Sequence, residues 1–160
     1  MQYLDFHEKN HNKHGWPQVT VIFDGIKWGD PLDDNNPKED FYRYHDAIHV
    51  GLDVLTGWSP VNRHLEGKET DKRERKLEEC LSLFAFTEAK QRNFFRDKKP
   101  SSMLIRIIRQ LTEETPLKNQ TTKQWSENLV TIFNVMGQLA DNRGGRIEVD
   151  YKDRIFRLVA

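Results

Sequence analysis

Apolar residues recur at a helical period along four stretches of this chain. From Phe41 to Leu55, the positions Phe41, Tyr44, Ile48, Leu52 and Leu55 share one side of a wheel turned at about 100° per residue. That spacing predicts a helix over about Asp40–Thr56, stopped by Gly57 and Pro60. A second helix is expected over about Asp71–Phe94, with Leu77, Cys80, Leu81 and Phe84 on its core face. A third covers roughly Ser101–Thr112, and a fourth runs from about Thr121 to Ala140 through Trp125, Leu129, Ile132, Phe133, Met136 and Leu139. Two stretches read as strands instead. "QVTVIFDG" (Gln18 to Gly25) is β-branched and aromatic and ends on Gly, and "GGRIEVDYKDRIFRLVA" alternates around a turn as a hairpin does. Residues 1–12 are expected as a short helix ending before Gly15-Trp16-Pro17, and residues 28–40 as a loop rich in turn residues. The fold class expected is mainly α. It is a bundle of about four to five helices with a small antiparallel hairpin or sheet, forming one domain over 1–160.

Charge and composition narrow the function. Lys+Arg and Asp+Glu are 25 each, so the formal charge is zero. That argues against nucleic-acid binding by bulk electrostatics, but it leaves room for a local basic site for a phosphorylated small molecule. The single cysteine, Cys80, allows no intramolecular disulfide. Its apolar neighbours predict a buried thiol in a reducing, cytoplasmic setting. The start lacks the apolar region of a signal peptide, and no apolar run approaches the ~20 residues that span a bilayer, so no membrane partner is expected.

The helix at 40–56 also carries chemistry. Tyr42, His45, Asp46, His49 and Asp53 form a stripe beside its core face. His45 and His49 are four apart and Asp46 and His49 three apart, so their side chains converge on one point, as a metal requires. Carboxylate oxygen suits Mg²⁺ or Mn²⁺, and imidazole suits Mn²⁺, Zn²⁺ or iron. The plain alternative is a pair of hydrogen-bonded histidines at a core edge. The second helix offers Glu78 and Glu79, which are costly on a buried helix unless paired with cations or metal. The acidic loop with Asp30, Asp33 and Asp34 can add an oxygen ligand or simply cap the next helix. In "NRGGR", Arg143 and Arg146 flank two glycines. They suit a phosphate contact, or a helix end leading into a hairpin. No P-loop, dinucleotide fingerprint, zinc-type cysteine pair or nucleophile elbow is present.

Several of these pieces together are similar to one known family. Gly29-Asp30-Pro31-Leu32, Tyr42 to His49, Gly57 to Val61, Glu78-Glu79 and Gly144-Gly145-Arg146 resemble the domain found C-terminal to the pyrophosphohydrolase core in MazG-like proteins. The resemblance covers nearly all of the chain from about residue 18. It implies an all-α nucleoside triphosphate pyrophosphohydrolase that yields a monophosphate and pyrophosphate with Mg²⁺ or Mn²⁺, and a homo-oligomer, most simply a dimer. The family's E-x-x-E and E-x-x-D acids are not reproduced. His45, Asp46 and His49 stand on the first helix, and Leu81 and Ser82 follow Glu78-Glu79 where an acid would fall. The implied roles are metal ligation by Asp46, His49 and Glu79, general-base or orienting work by His45, and a further ligand or outer acid in Glu78. Nucleotide contacts would come from Asp30, Arg143 and Arg146. The alternative is a non-catalytic nucleotide-sensing or interaction module in a phage-defence or stress setting. A phosphohydrolase of the HD type is a weaker third reading: the His45-Asp46 pair is present, but no separate upstream His or distant Asp stands at a matching position.

Overall fold

The computed structural model describes residues 1–160, the side chain of Asn10 excepted. Its strands are β1 (Gln2–His11), β2 (Pro17–Phe23), β3 (Ile26–Lys27), β4 (Leu32–Asp33), β5 (Gly144–Asp150) and β6 (Ile155–Leu158). Its helices are α1 (Asp46–Thr56), α2 (Pro60–Leu65), α3 (Lys72–Gln91), α4 (Ser102–Leu111) and α5 (Thr122–Asn142). The fold is therefore α+β, and the expectation of a mainly helical bundle with a minor sheet is corrected. All six strands form one antiparallel sheet in the order β3-β2-β1-β5-β6, with β4 also on β2.

The main source of that correction is residues 1–12, which form a strand rather than a short helix. Leu4 and Phe6 are two apart, so a strand points both to one face, whereas a helix would set them on opposite sides. Both are buried, opposite Ile147 and Gly145 of β5 and Phe23 and Val21 of β2. Val19, Val149 and Phe156 complete that inner face, against which α1 and α5 pack. The outer face carries the ion pairs Asp5–Arg146 and Glu148–Arg157, as a sheet with one solvated side should.

Helix α1 is buried on every side from Ala47 to Leu55. At Gly51 it passes so close to its neighbours that an added Cβ would lie 2.8 Å from Ile132 of α5 and 3.0 Å from Phe156 of β6. The expected core of α5 is present, and the hairpin at the end stands where its alternation placed it, but the first helix begins at Asp46 rather than about Asp40, with Phe41 left-handed (φ 62°) and Tyr42–Tyr44 in a 3-10 turn. Helix α3 is rotated from expectation. It buries Glu78, Leu81, Ser82, Ala85, Phe86 and Ala89 and leaves Cys80 and Phe84 exposed, so the thiol is not a core group. No helix is long and apolar enough to cross a membrane.

Candidate metal centre

Gly57 takes a left-handed conformation (φ 77°) that ends α1, and the chain turns directly into α2. Ser59 caps α2, its Oγ accepting from the Asn62 N–H at 3.1 Å, and Pro60 occupies the first helical position, where a missing N–H is harmless. This tight turn sets the Ser59 hydroxyl and the Val61 N–H against the Glu78 carboxylate of α3, at 2.8 and 3.1 Å. Glu78 is fully buried and accepts a third bond, from His49 Nδ1 at 2.5 Å. The cost of burying a carboxylate is thus offset by three donors, one of them an imidazole. Asn62 adds a hydrogen bond from its amide to the His49 carbonyl at 3.2 Å.

His45 lies where a 3-10 turn (Tyr42–Tyr44) runs into α1. Its Nδ1 lies 2.7 Å from the Tyr42 carbonyl, an acceptor only, so Nδ1 carries the proton. The Tyr42 ring stacks on the imidazole at 4.1 Å and fixes its plane. Both histidines therefore turn Nδ1 to an acceptor behind them, and His45 Nε2 lies 3.3 Å from the Asp46 carboxylate. This arrangement orients and sharpens metal-binding histidines. One ligand atom from each of His45, Asp46 and His49 lies within 4.8 Å of the others. Two imidazoles and a carboxylate fit Mn²⁺, Fe²⁺ or Zn²⁺ better than Mg²⁺, which prefers oxygen throughout.

The electrostatics pull the two histidines in opposite directions. Burial pushes the His45 imidazole below its ordinary value, outweighing the nearby Asp46 carboxylate, so it stays neutral. At His49 burial acts in the same direction, but the hydrogen bond and charge of Glu78, with Asp46 and Glu79, outweigh it and raise the value. The Tyr42 phenol is raised by burial and by Asp46, Glu79 and Asp40, which reports a negative field.

These groups open onto a cleft of about 510 Å³. Asp30, Asp46 and Glu79 supply its acids, and Leu32, Tyr42, Val61, Leu65 and Leu83 its apolar walls. Five of the sequence-predicted residues thus meet here: Asp30, His45, Asp46, His49 and Glu79. Glu78 stands behind His49 and not in the cleft. Arg143 and Arg146 are elsewhere. Arg143 is the left-handed residue ending α5 and pairs with Glu8 and Glu39, and Arg146 pairs with Asp5 across the outer sheet face. The glycines between them serve the backbone, because a Cβ at Gly144 (φ 113°) would lie 2.5 Å from the Phe6 carbonyl oxygen.

Sequence reasoning missed two supports. Ser59 was legible as an N-cap followed by Pro. Arg43 was not, for it hides between aromatic residues. It is fully buried, and its guanidinium binds Glu8 at 2.5 Å, Asp34 at 2.7 Å and Glu39 at 2.8 Å. Asp34 also accepts the backbone N–H groups of Asp40 and Arg43, so this acid caps the chain entering the site.

No curated protein and no solved structure matches the chain. One family does: the MazG C-terminal domain, over residues 2–160. With that match spanning nearly its whole length, the chain belongs to the MazG C-terminal domain family.

Proposed function

We propose that the cleft binds a divalent cation, Mn²⁺ by preference, and with it hydrolyses a phosphoanhydride bond of a nucleoside triphosphate, giving a monophosphate and pyrophosphate. The observation that carries this reading is the cluster of His45, Asp46 and His49, one ligand atom of each within 4.8 Å of the others, with Nδ1 of both histidines tied back. His45, Asp46 and His49 would hold the cation, with Glu79 at the rim as a further ligand. Membership of a MazG-related family supports the substrate class. Charge supports it too: the cleft has three carboxylates and no Lys or Arg among its lining residues, so a polyphosphate enters only with a cation to offset the repulsion. When bound, such an ion lowers the pKa of an attacking water and polarises the phosphoryl oxygen. The chain's own contribution is positional. Glu78, Ser59 and the Tyr42 carbonyl hold the imidazoles, while Tyr42, Leu65 and Leu83 offer apolar surface to a base. Incubation with a panel of ribo- and deoxynucleoside triphosphates and Mn²⁺ or Mg²⁺ should release pyrophosphate. Asp46→Ala should abolish that release and Glu79→Ala should weaken it. Absence of turnover with every pair would overturn the hydrolase.

The same cleft supports a second reading, a module that binds a nucleotide without cleaving it. It is favoured by the absence of a cation in the lining to take up charge on a leaving pyrophosphate. Saturable Mn²⁺-dependent nucleotide binding without product would select it.

A further inference from the structure

The neutral formal charge of the chain hides a local excess. Residues 98–123 carry six Lys or Arg against two Glu. Three of those cations, Arg106, Arg109 and Lys118, line one depression of about 510 Å³ between α4 and the start of α5. It shares no lining residue with the metal cleft. Arg106 and Arg109 are three apart on α4, where like charges destabilise a helix by a few tenths of a kcal/mol. Among the described residues neither they nor Lys118 form an ion pair, although Glu113 lines the same depression. Arg109 is instead fixed across the groove by donating to the Thr122 hydroxyl at 3.0 Å. Ser102 adds a second hydroxyl, and Thr122, the first residue of the 21-residue α5, lines the same space.

We propose that this depression is a metal-free site for a short run of phosphates, as in a di- or triphosphate. Its volume falls within the range of small-ligand pockets. Two guanidinium forks and an ammonium match successive phosphate groups, bidentately for the arginines and as a point charge for the lysine. No aromatic side chain lines the depression, so the phosphates and not a base are the recognised part. A bound anion would also remove the repulsion along α4. The two sites thus divide by chemistry: the cleft is acidic and needs a cation, and the depression is basic and needs none.

The test is calorimetric titration of the full chain with inorganic tripolyphosphate, in EDTA at low ionic strength. Saturable one-to-one binding that weakens as salt rises is expected. Arg106→Ala/Arg109→Ala should weaken it at least tenfold, and Arg106→Lys/Arg109→Lys should retain part of it. Both arginines are exposed, so circular dichroism should show the fold kept. His49→Ala, in the other cleft, should leave this binding unchanged. ATP in EDTA separates the two sources of the phosphates. Equal affinity assigns the phosphate chain alone, and tighter binding adds the nucleoside, both in support. No binding of tripolyphosphate, undiminished binding in the double alanine variant, or loss of binding in His49→Ala would overturn the proposal.

Discussion

Glu78→Gln is nearly isosteric, so it isolates the carboxylate's charge and acceptor capacity. The native carboxylate receives three donors: the Ser59 hydroxyl, the Val61 N–H and His49 Nδ1–H. A glutamine has one carbonyl oxygen and turns an NH₂ toward the other side. With the oxygen kept on Val61, the NH₂ meets His49. The imidazole relieves that clash by moving its proton to Nε2, the nitrogen a metal would otherwise use. Bonds to a charged acceptor are worth about 1.5–3 kcal/mol and neutral ones about 1 kcal/mol, so the variant should lose about 1–3 kcal/mol of stability. Mn²⁺ affinity should fall 10–100-fold, about 1.4–2.7 kcal/mol, as for other outer partners of metal-binding histidines. Urea unfolding in EDTA reads the first quantity and Mn²⁺ titration the second. The loss of stability should also depend on pH. His49 has a raised value in the folded chain, so its stabilising contribution is fully present below its unfolded value of about 6.5 and fades as pH rises through the folded one. The wild-type advantage over the variant is therefore largest on the acid side of that window. Unchanged Mn²⁺ affinity in Glu78→Gln, alongside its loss in His49→Ala, would refute the orienting role.

Three further outcomes follow from the packing. Gly51→Ala should destabilise by about 1–3 kcal/mol through overpacking against Ile132 and Phe156, despite the better helix propensity of alanine. Ile132→Val should recover part of the loss in denaturant unfolding, and a more stable Gly51→Ala would contradict the close approach. Arg43→Met leaves the buried Asp34 without its cation and Glu8 with Arg143 alone, so a loss of about 3–5 kcal/mol is expected in the same assay, and near-wild-type stability would refute the clamp. Cys80 is exposed and should react with a thiol reagent in native buffer within a few-fold of the unfolded rate; protection until unfolding would contradict the orientation of α3.

The legible parts of this fold are those in which local pattern and tertiary burial agree. Helix α5 buries nearly the stripe its periodicity defines, because that stripe sits against one continuous surface. Strand β1 was illegible because Asp5, His7, Glu8 and Lys9 obscure its alternation, and its apolar content is small for the central strand of a sheet. What makes it a strand is pairing on both sides with segments far along the chain. The rotation of α3 has a similar cause. Its exposed Leu83 and Phe84 are as apolar as anything it buries, but only one orientation delivers Glu78 to His49, Ser59 and Val61. At the site, spacing alone brought out His45, Asp46 and His49. The roles of Ser59 and Arg43 depend on partners 19 and 35 residues away, which no local pattern displays.

The placing of β1 between β2 and β5 bears on how the protein is made. Leu4 pairs with Ile147, and the backbone of Arg146 exchanges hydrogen bonds with Val159 and Ala160. The β1–β2 hairpin therefore waits, one edge of β1 bare, until β5 has been synthesised. Such long-range closure is entropically expensive and slow. Helix α1, which carries Asp46 and His49, packs on β6, which follows β5. Nascent chains should thus complete the packing of α1 only after β5 and β6 emerge, and a ribosome stalled before residue 147 should display helices without the closed sheet.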